Sequence, residues 1–430
     1  MDSISSGLYG VIILLLVLFF TRMPVGIAMA VVGFLGFWLE VGFRPAVSMI
    51  SSNLWSLFSS YGLSVVPFFV FMGAVCVHAG VSRRLYETAH AWIGHVRGGI
   101  AMATVLACAA FSAICGSNAA TAATMSSVAL PEMKRLGYDP ALSTGSVASG
   151  ATLGVLIPPS VVLIVIGLAT EQSITKLFLA AIIPGLVITF LLALSVWIVC
   201  RIRPEWGPPG KRATFRERMK SLPGSIEMLC LFCFVMIGLY LGWFTPTEAG
   251  AAGSFFALLI VILNGHFNLK VMWNAIEDTV RTTCMIYIVV AGAVIFGRFL
   301  AVTRLPFEMA DWVASLNVPN YIVLITMFLL YIVGGAIMDA LGLLMITIPI
   351  FFPVVNNIGY DALWFSIVVT VITTLGAITP PVGINTFVVA SVARDTDLET
   401  VFKGTLFFIP AYIFAIVLFT LFPKIVTLWY

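Results

Sequence analysis

Residues 131–159 read PEMKRLGYDPALSTGSVASGATLGVLIPP, and residues 353–381 read PVVNNIGYDALWFSIVVTVITTLGAITPP. The two stretches align without a gap at a separation of 222 positions, and 10 of the 29 aligned residues are identical. Both end in a Gly-x-x-x-Pro-Pro motif. Proline lacks the backbone N–H that a helical hydrogen bond needs, so each motif predicts a break in a helix. The chain therefore contains an internal repeat with a matching helix break in each copy.

The composition places this repeat in a membrane. Hydrophobic residues make up 61% of the 430 residues, charged residues only 10%, and the mean hydropathy is +1.10. A soluble globule of this length could not bury so much apolar surface. Long runs of Leu, Ile, Val and Phe predict transmembrane helices, because β-strands of a barrel would alternate apolar and polar residues. Two matching broken helices at membrane depth indicate the binding site of a secondary transporter.

Several other function classes find no support in the sequence. The net charge of +3 is too small to favour binding of nucleic acid. The sequence contains no Gly-x-x-x-x-Gly-Lys-Ser/Thr loop of an ATPase, and no His-Glu-x-x-His or Gly-x-Ser-x-Gly motif of a membrane hydrolase. The seven cysteines are scattered through apolar segments and predict neither a transition-metal site nor a redox site. We therefore expect no enzyme, and no cofactor apart from a coupling ion.

The basic residues predict the orientation of the chain. Residues 201–220, RIRPEWGPPGKRATFRERMK, contain seven Lys or Arg and two Glu, and they link two membrane halves. By the positive-inside rule this linker is cytoplasmic. Lys134 and Arg135 of the first copy are replaced by Asn356 and Asn357 in the second, as expected if the two loops lie on opposite sides of the membrane. The copies are therefore predicted to form an inverted repeat, with both chain termini outside the cytoplasm.

A re-entrant hairpin is predicted at the start of each repeat. Residues 98–130 contain Gly-Ser-Asn in their middle, and residues 320–353 contain Met-Asp-Ala-Leu-Gly. Small and hydroxyl residues at 116–124 allow close backbone approach and offer neutral oxygen ligands, with tight helix packing as the alternative. Asp339 is a lone intramembrane carboxylate, which predicts a functional site. Capping of a half-helix is the alternative role for this side chain.

The breaks themselves predict ligands for a cation. The proline pairs remove the helical donors of the carbonyls four residues earlier. These carbonyls belong to Gly154, Val155, Gly376 and Ala377. In a bilayer they must face protein, water or a cation, and unwound carbonyls at mid-depth suit Na⁺; a proline kink that binds nothing is the alternative. Asn385 follows the second break, where the N-terminus of a half-helix attracts an anion, or where its amide simply packs.

These motifs resemble those of the large membrane subunit of tripartite ATP-independent periplasmic (TRAP) transporters, the DctM type. The matching text is GSNAATAATMSSVALPEMKRLGYD (116–139), GVLIPPS (154–160), LFLAAIIPG (177–185), MDALGLLMITIPIFFP (338–353) and GAITPPVGIN (376–385). The resemblance implies an elevator-type transporter that imports an organic anion, a carboxylate or a sulfonate, with Na⁺ as the coupling ion. It also implies two partners, a separate small membrane subunit of the DctQ type and a periplasmic substrate-binding protein of the DctP type.

The resemblance and the residue patterns together place the sites at the two hairpin tips and the two breaks. The predicted substrate contacts are Ser117, Asn118, Thr121, Asp339, Gly342 and Asn385. The predicted Na⁺ ligands are Gly116, Ser117, Gly154, Val155, Pro158, Ser160, Met338, Asp339, Gly376, Ala377, Thr379 and Gly383.

The predicted fold class is an all-α integral membrane protein, an inverted-repeat elevator transporter with two re-entrant helical hairpins and two broken helices. Residues 1–96 and 177–319 form the predicted scaffold, with interfacial arms and the cytoplasmic linker. Residues 97–176 and 320–403 form the two repeats of the transport domain, and residues 404–430 form a C-terminal helix. We expect a multi-pass protein of the bacterial or archaeal cytoplasmic (inner) membrane with periplasmic termini. A stand-alone divalent-anion/Na⁺ symporter without a binding protein is the main alternative, followed by a channel or a membrane-embedded enzyme.

Overall fold

Helices account for nearly all of the structure. The computed structural model describes residues 3–21, 23–265, 267–315 and 318–428, and within these ranges it contains no strand. The first half contains α1 (Ser3–Phe20), α2 (Val25–Val41), α3 (Phe43–Phe58), α4 (Val65–His78), α5 (Val81–Ile93), α6 (Gly99–Cys115), α7 (Asn118–Arg135), α8 (Pro140–Ala151), α9 (Leu153–Leu156), α10 (Val161–Ala169) and α11 (Ile174–Ile202). The second half contains α12 (Phe215–Ser221), α13 (Pro223–Tyr240), α14 (Pro246–Leu263), α15 (Leu269–Val302), α16 (Leu305–Ser315), α17 (Asn320–Ile337), α18 (Ala340–Asn357), α19 (Ala362–Gly376), α20 (Ile384–Val392), α21 (Leu398–Leu406), α22 (Ile409–Leu421) and α23 (Lys424–Thr427).

The helices confirm a multi-pass membrane protein. Among the described residues, eight helical segments are long and apolar enough to cross a membrane, and the pair α21–α22, bent by 43°, is a ninth candidate. The segment Pro140–Ala169, which comprises α8 to α10, buries 89% of its apolar window inside the protein, whereas α13 and α17 each bury 33%. Exposed apolar surface on this scale requires lipid as its solvent. The segment α8–α10 is therefore central, and α13 and α17 lie at the periphery.

The 222-residue repeat extends far beyond the two stretches that reveal it in the sequence. Helix α7 shifted by 222 positions coincides with α18, from Asn118–Arg135 to Ala340–Asn357. The same shift carries α1 and α2 onto α13 and α14, and α5 and α6 onto α16 and α17, with helix ends that differ by at most two residues. Packing follows the repeat as well, because α2 packs on α15 while its counterpart α14 packs on α4. The two halves therefore exchange equivalent contacts, as a pseudo-two-fold relation requires.

Helix α15 is the element that departs most from this symmetry. It runs unbroken for 34 residues, whereas the corresponding residues of the first half form two helices, α3 and α4. At 1.5 Å per residue its length is about 50 Å, well beyond the ~30 Å apolar layer of a bilayer. Its first part contains Lys270, Glu277, Asp278 and Arg281. These charges confine the apolar, membrane-spanning part of α15 to its second half.

Both predicted hairpins are present. Helices α6 and α7 pack against each other and are joined only by Gly116 and Ser117, which we call tip one. Helices α17 and α18 are joined in the same way by Met338 and Asp339, which we call tip two. Gly116 has a φ of +62°, a left-handed conformation that glycine adopts without steric penalty. Glycine at this position therefore allows the chain to reverse within two residues.

Both broken helices are present as well. The chain unwinds over residues 157–160 between α9 and α10, the first break, and over residues 377–383 between α19 and α20, the second break. The Pro-Pro peptide bond is cis in each. Helix α10 packs against α18 of the second hairpin, and α20 packs against α7 of the first. This crossed packing places each broken helix against the hairpin of the other repeat, and the predicted inverted-repeat fold class is confirmed.

Candidate functional site

Tip one meets the first break through backbone atoms. The Oγ of Ser117 accepts a hydrogen bond from the N–H of Ala120 (3.5 Å) and so begins α7. A Cβ at Gly154 would stand 2.7 Å from the carbonyl oxygen of Ser117, and a Cβ at Gly116 would stand 2.9 Å from the carbonyl oxygen of Pro159. Real Cβ atoms do not approach backbone so closely. The two glycines therefore allow the tip and the break to touch.

The first break is enclosed and supplies some of its own hydrogen bonds. Residues 151–160 are all buried. The hydroxyl of Ser160 donates to the carbonyl of Val155, which replaces the donor that Pro159 cannot provide. Pro158 likewise removes the helical donor of the Gly154 carbonyl. All four predicted Na⁺ ligands of this break thus lie in one buried segment against tip one.

Tip two carries its polar group at the position equivalent to that of tip one. Asp339 lies 222 residues after Ser117, and one of its carboxylate oxygens accepts a hydrogen bond from the N–H of Leu341 (3.1 Å). Asp339 therefore caps α18 as Ser117 caps α7, which was the alternative role predicted for this residue. Its side chain is exposed at the surface of the tip. A carboxylate accepts through two oxygens, so capping leaves ligand capacity at this position.

The second break meets the end of α17 just before tip two. A Cβ at Gly376 would stand 2.4 Å from the carbonyl carbon of Gly335. The carbonyl of Ala336 accepts hydrogen bonds from the N–H groups of Val382 (3.2 Å) and Gly383 (3.0 Å). The sequence did not predict a role for Ala336. Its backbone carbonyl accepts two hydrogen bonds from a distant segment, and every residue type has such a carbonyl. The second break therefore meets its hairpin just before tip two, whereas the first break meets tip one itself.

Three of the four carbonyls freed by the prolines are paired with protein donors. The Gly376 carbonyl accepts from the N–H of Thr379 (2.9 Å), and the Ala377 carbonyl accepts from the N–H of Asn385 (3.1 Å); the third is Val155. The chain turns back after each proline pair, so local donors reach these oxygens. The donors to these three carbonyls all belong to the protein. Each carbonyl keeps a second lone pair, so a cation could still bind to it.

Three buried polar atoms beside the breaks have no hydrogen-bond partner among the described residues. They are the Oδ1 atoms of Asn118 and Asn385 and the Oγ1 atom of Thr121. The Nδ2 of Asn385 donates to the carbonyl of Ala148 in α8 (3.3 Å), which joins the second break to the first repeat. The helices that carry these residues, α7 and α20, pack against each other. An unpaired buried polar atom costs about 1–3 kcal/mol, so this cluster is suited to a bound ion or ligand.

The other predicted residues lie outside this cluster. Gly342 is buried against α2, where a Cβ would stand 3.3 Å from the side chain of Val25. The hydroxyl of Thr379 donates to the carbonyl of Leu375 (2.7 Å). Met338 is half-buried at tip two. Gly342 thus allows close packing of α18 on α2, and Thr379 stabilises the unwound backbone.

A tyrosine that the sequence did not single out links the two repeats. The hydroxyl of Tyr412 in α22 forms a hydrogen bond with Thr152 and also interacts with Thr374; these two threonines occupy equivalent positions just before the breaks. Tyr412 is buried, with 1% of its surface exposed. The repeat alignment contains both threonines, but Phe190 occupies the position equivalent to Tyr412. The repeat therefore could not be used to predict a role for Tyr412. The start of each break is therefore held at one shared hydroxyl.

An ion pair ties the far end of the first hairpin to the second repeat. The Nζ of Lys134 lies 2.5 Å from a carboxylate oxygen of Asp395. The hydrogen bond and the charge of Lys134 lower the pKa of the Asp395 carboxyl below its usual value. Both side chains are exposed, so the pair contributes little to stability.

Within the described residues no group of three or more His, Cys, Asp or Glu side chains could hold a metal ion, and the oxygen donors at the breaks are carbonyls, hydroxyls and amides.

Comparison with known proteins agrees with this architecture. Residues 12–425 match the family model of the tripartite ATP-independent periplasmic transporter, DctM component. The C4-dicarboxylate TRAP transporter large permease protein DctM of Pseudomonas aeruginosa is 35% identical over 352 residues, which cover 81% of this chain and 82% of that protein. The sialic acid TRAP transporter large permease protein SiaM of Vibrio cholerae is 29% identical, with 95% and 94% covered.

Two further similarities bear on the fold and on the partners. The isethionate TRAP transporter permease protein DctMQ of Oleidesulfovibrio alaskensis is 30% identical, with 88% of this chain and 60% of that protein covered. The crystal structure of the Alcanivorax borkumensis YdaH transporter superposes with a TM-score of 0.68 at 15% identity and covers 99% of this chain and 98% of that one. The second likeness concerns the fold alone. The match across nearly the whole length, with the hairpins and breaks in place, means that this chain belongs to the DctM family of TRAP transporter large permease subunits and is a transporter component, not an enzyme.

Proposed function

We propose that this chain is the permease subunit of a Na⁺-coupled TRAP transporter that imports an organic anion by an elevator mechanism. The observation that carries the proposal is a pair of close backbone contacts made by equivalent glycines, Gly154 against tip one and Gly376 against the end of α17 just before tip two; we call these the tip–break contacts. Each contact joins the backbone of a hairpin to a helix break, in a chain with very few charges. Broken helices that meet in this way supply the oxygen ligands that Na⁺ prefers.

Two Na⁺ sites are proposed, one in each repeat. The first uses Gly116, Ser117 and the first break from Gly154 to Ser160. The second uses Met338, Asp339 and the residues from Gly376 to Gly383. In each, a glycine allows the hairpin and the break to approach closely, and we propose that carbonyl oxygens of both segments bind one ion there. Second lone pairs of the paired carbonyls serve as ligands without loss of the protein hydrogen bonds.

The substrate is proposed to lie between the two Na⁺ sites, in contact with the unpaired cluster. Asn118, Thr121 and Asn385 offer neutral amide and hydroxyl groups, and an amide flip exchanges acceptor for donor. No Lys or Arg is among the proposed contacts, and tip two contributes the carboxylate of Asp339. An anion in this environment needs bound Na⁺ to balance its charge. Coupling then follows from the electrostatics, because Na⁺ and the anion each bind poorly without the other.

The substrate class is proposed from the relatives, which are named as transporters of C4-dicarboxylates, sialic acid and isethionate. All three are small organic anions that carry a carboxylate or a sulfonate. We expect a member of this class to be the substrate, delivered by a periplasmic binding protein. A separate small membrane subunit is the second proposed partner, since the DctMQ relative contains such a part within its longer chain.

The proposed transport domain comprises residues 97–176 and 320–403, and the rest forms the scaffold. The tip–break contacts lie within the transport domain, so they can move as one unit past α2, α4, α14 and α15, which pack on one another. The protein is placed in the cytoplasmic (inner) membrane with the linker 201–220 in the cytoplasm and both termini in the periplasm, by the positive-inside rule. Transport then requires a shift of the domain across the bilayer.

Uptake into proteoliposomes tests the proposal. The chain is reconstituted with its small membrane subunit and supplied with the binding protein loaded from a panel of radiolabelled dicarboxylates, sialic acid and isethionate. An inward Na⁺ gradient should drive uptake of at least one of these anions, and collapse of the gradient with a Na⁺ ionophore should abolish it. Undiminished uptake without the gradient would refute Na⁺ coupling. Uptake by this chain without the binding protein would favour the stand-alone symporter instead, and flux that does not saturate would favour a channel.

A further inference from the structure

An apolar cavity lies beside the first hairpin. It has a volume of about 670 Å³ and lies between α5, α6, α11 and α13. Ala110 and Ala113 of α6 and Ile157 of the first break are among its lining residues. Leu186 and Leu229 at its edge are 62% and 60% exposed. In a membrane such leucines face acyl chains, so the cavity opens to lipid.

A basic segment borders the same cavity. Residues 211–220 contain five Lys or Arg and one Glu. The carboxylate of this glutamate, Glu217, accepts hydrogen bonds from the backbone N–H and the hydroxyl of Thr214 at the start of α12. The guanidinium of Arg218 lies 5.9 Å from the ring centre of Trp92, which lines the cavity. The Nε of Arg218 is buried and has no hydrogen-bond partner among the described residues. The Nη2 of Arg218 lies 3.5 Å from the Nδ1 of His95. A guanidinium has five N–H donors and binds phosphate strongly, so the remaining donors of Arg218 are available to an anionic oxygen.

Helix α12 has the character of a segment at the membrane surface. Phe215 and Met219 are 76% and 46% exposed, while Arg216 and Lys220 are exposed on the same short helix. Apolar and basic side chains combined in this way place a helix at the boundary between headgroups and acyl chains. Arg218 therefore sits at headgroup level, with the apolar cavity next to it at acyl-chain level.

The size of the cavity favours a lipid chain over a whole partner helix. A 20-residue helix about 30 Å long and 10 Å across displaces on the order of 2,400 Å³, several times the volume of the cavity. Pockets of roughly 300–1,000 Å³ hold single small ligands. We propose that this cavity binds one anionic phospholipid, with an acyl chain between α6 and α13 and the phosphate at Arg218. The lipid then fills a space between the first hairpin and the helices outside it.

Lipid retention by the purified full-length chain tests this inference. Protein in detergent is mixed with equal amounts of phosphatidylglycerol and phosphatidylcholine that carry the same acyl chains, and bound lipid is counted by native mass spectrometry. The wild type should retain phosphatidylglycerol in preference. Arg218→Gln should lower that preference about five-fold, the effect of one basic side chain at a membrane surface. Ala110→Phe, which fills the exposed side of the cavity, should lower the retention of both lipids.

Matched controls separate the site from general effects. Lys270→Gln removes a basic residue, and Ala301→Phe enlarges an exposed alanine, both on α15 and away from the cavity; neither should change retention. Equal retention of both lipids by the wild type, or unchanged retention in Arg218→Gln and Ala110→Phe, would overturn the proposal. The complex with the small membrane subunit is measured as well. Loss of the lipid from that complex would overturn the proposal too, because the subunit would then occupy the cavity.

Discussion

Replacement of Gly376 by alanine tests the idea that the second break must touch the end of α17. The new Cβ would stand 2.4 Å from the carbonyl carbon of Gly335 and 2.8 Å from the backbone nitrogen of Ala336, whereas ordinary contact begins at 3.4 Å. Backbone atoms cannot rotate away as a side chain can, so the two segments must separate by about 1 Å. Overpacking of this kind costs about 1–3 kcal/mol, and the better helix propensity of alanine offsets about 1 kcal/mol of it. We expect a net loss of up to about 2 kcal/mol in the free energy of unfolding.

The effect on Na⁺ should exceed the effect on stability. Ligand distances in a metal site tolerate only about 0.2 Å, so a separation of about 1 Å should remove ligands from the proposed second Na⁺ site. In detergent, added Na⁺ should raise the melting temperature of the wild type, and the half-saturating Na⁺ concentration should rise at least about tenfold in Gly376→Ala, or ~1.4 kcal/mol. Gly297→Ala is the matched control, because its Cβ would meet only Pro349 at 3.9 Å. If Gly376→Ala responds to Na⁺ as Gly297→Ala does, the contact does not form an ion site.

Substitutions at three further residues separate structural roles from ligand roles. Asp339→Asn keeps a good helix N-cap, so it should unfold like the wild type but lose most of the stabilisation by Na⁺. Asp339→Ala should lose that stabilisation and also about 1 kcal/mol of the free energy of unfolding. A normal Na⁺ response in Asp339→Asn would limit this residue to capping. Asn385→Ala removes the hydrogen bond to the carbonyl of Ala148 and should lower the free energy of unfolding by about 0.5–1.5 kcal/mol. The stabilisation of the protein by bound substrate should also disappear in this variant. If that stabilisation persists, the substrate binds elsewhere. Tyr412→Phe should lower the free energy of unfolding by about 0.5–1.5 kcal/mol as well, although Thr152 keeps its hydrogen bond to the carbonyl of Ser149. An unchanged melting temperature would show that the shared hydroxyl does not hold the repeats together.

The sequence predicted the repeats, the hairpins and the breaks because each depends on residue types with strong local effects. Proline pairs end helices, Gly116 allows a left-handed turn, and a basic pair replaced by Asn356 and Asn357 indicates opposite sides of the membrane. The sequence alignment begins at Pro131, yet the structural repeat reaches the hairpin tips and the outer helices. Outer helices conserve only their apolar character, which any membrane helix shares, so their correspondence becomes visible only in three dimensions.

The details of the site could be predicted less well. Which donors reach the Val155 and Ala377 carbonyls depends on how the chain folds back after proline, and several geometries satisfy the same sequence. The role of Ala336 comes from its backbone alone, so its side chain carries no signal. Asp339 could be selected because a carboxylate in an apolar segment is costly, whereas Tyr412 could not, since a tyrosine in an apolar helix is common.

The dependence of anion uptake on Na⁺ concentration tests the central claim, that each repeat contributes an ion site. Initial rates are measured in proteoliposomes with the complete transporter, its binding protein and the anion identified by the panel. The wild type should give a Hill coefficient above 1 for Na⁺, and Gly154→Ala or Gly376→Ala alone should each lower the coefficient toward about 1 as one site is lost. A coefficient that is the same in the wild type and both variants, or uptake that does not depend on Na⁺, would contradict the account.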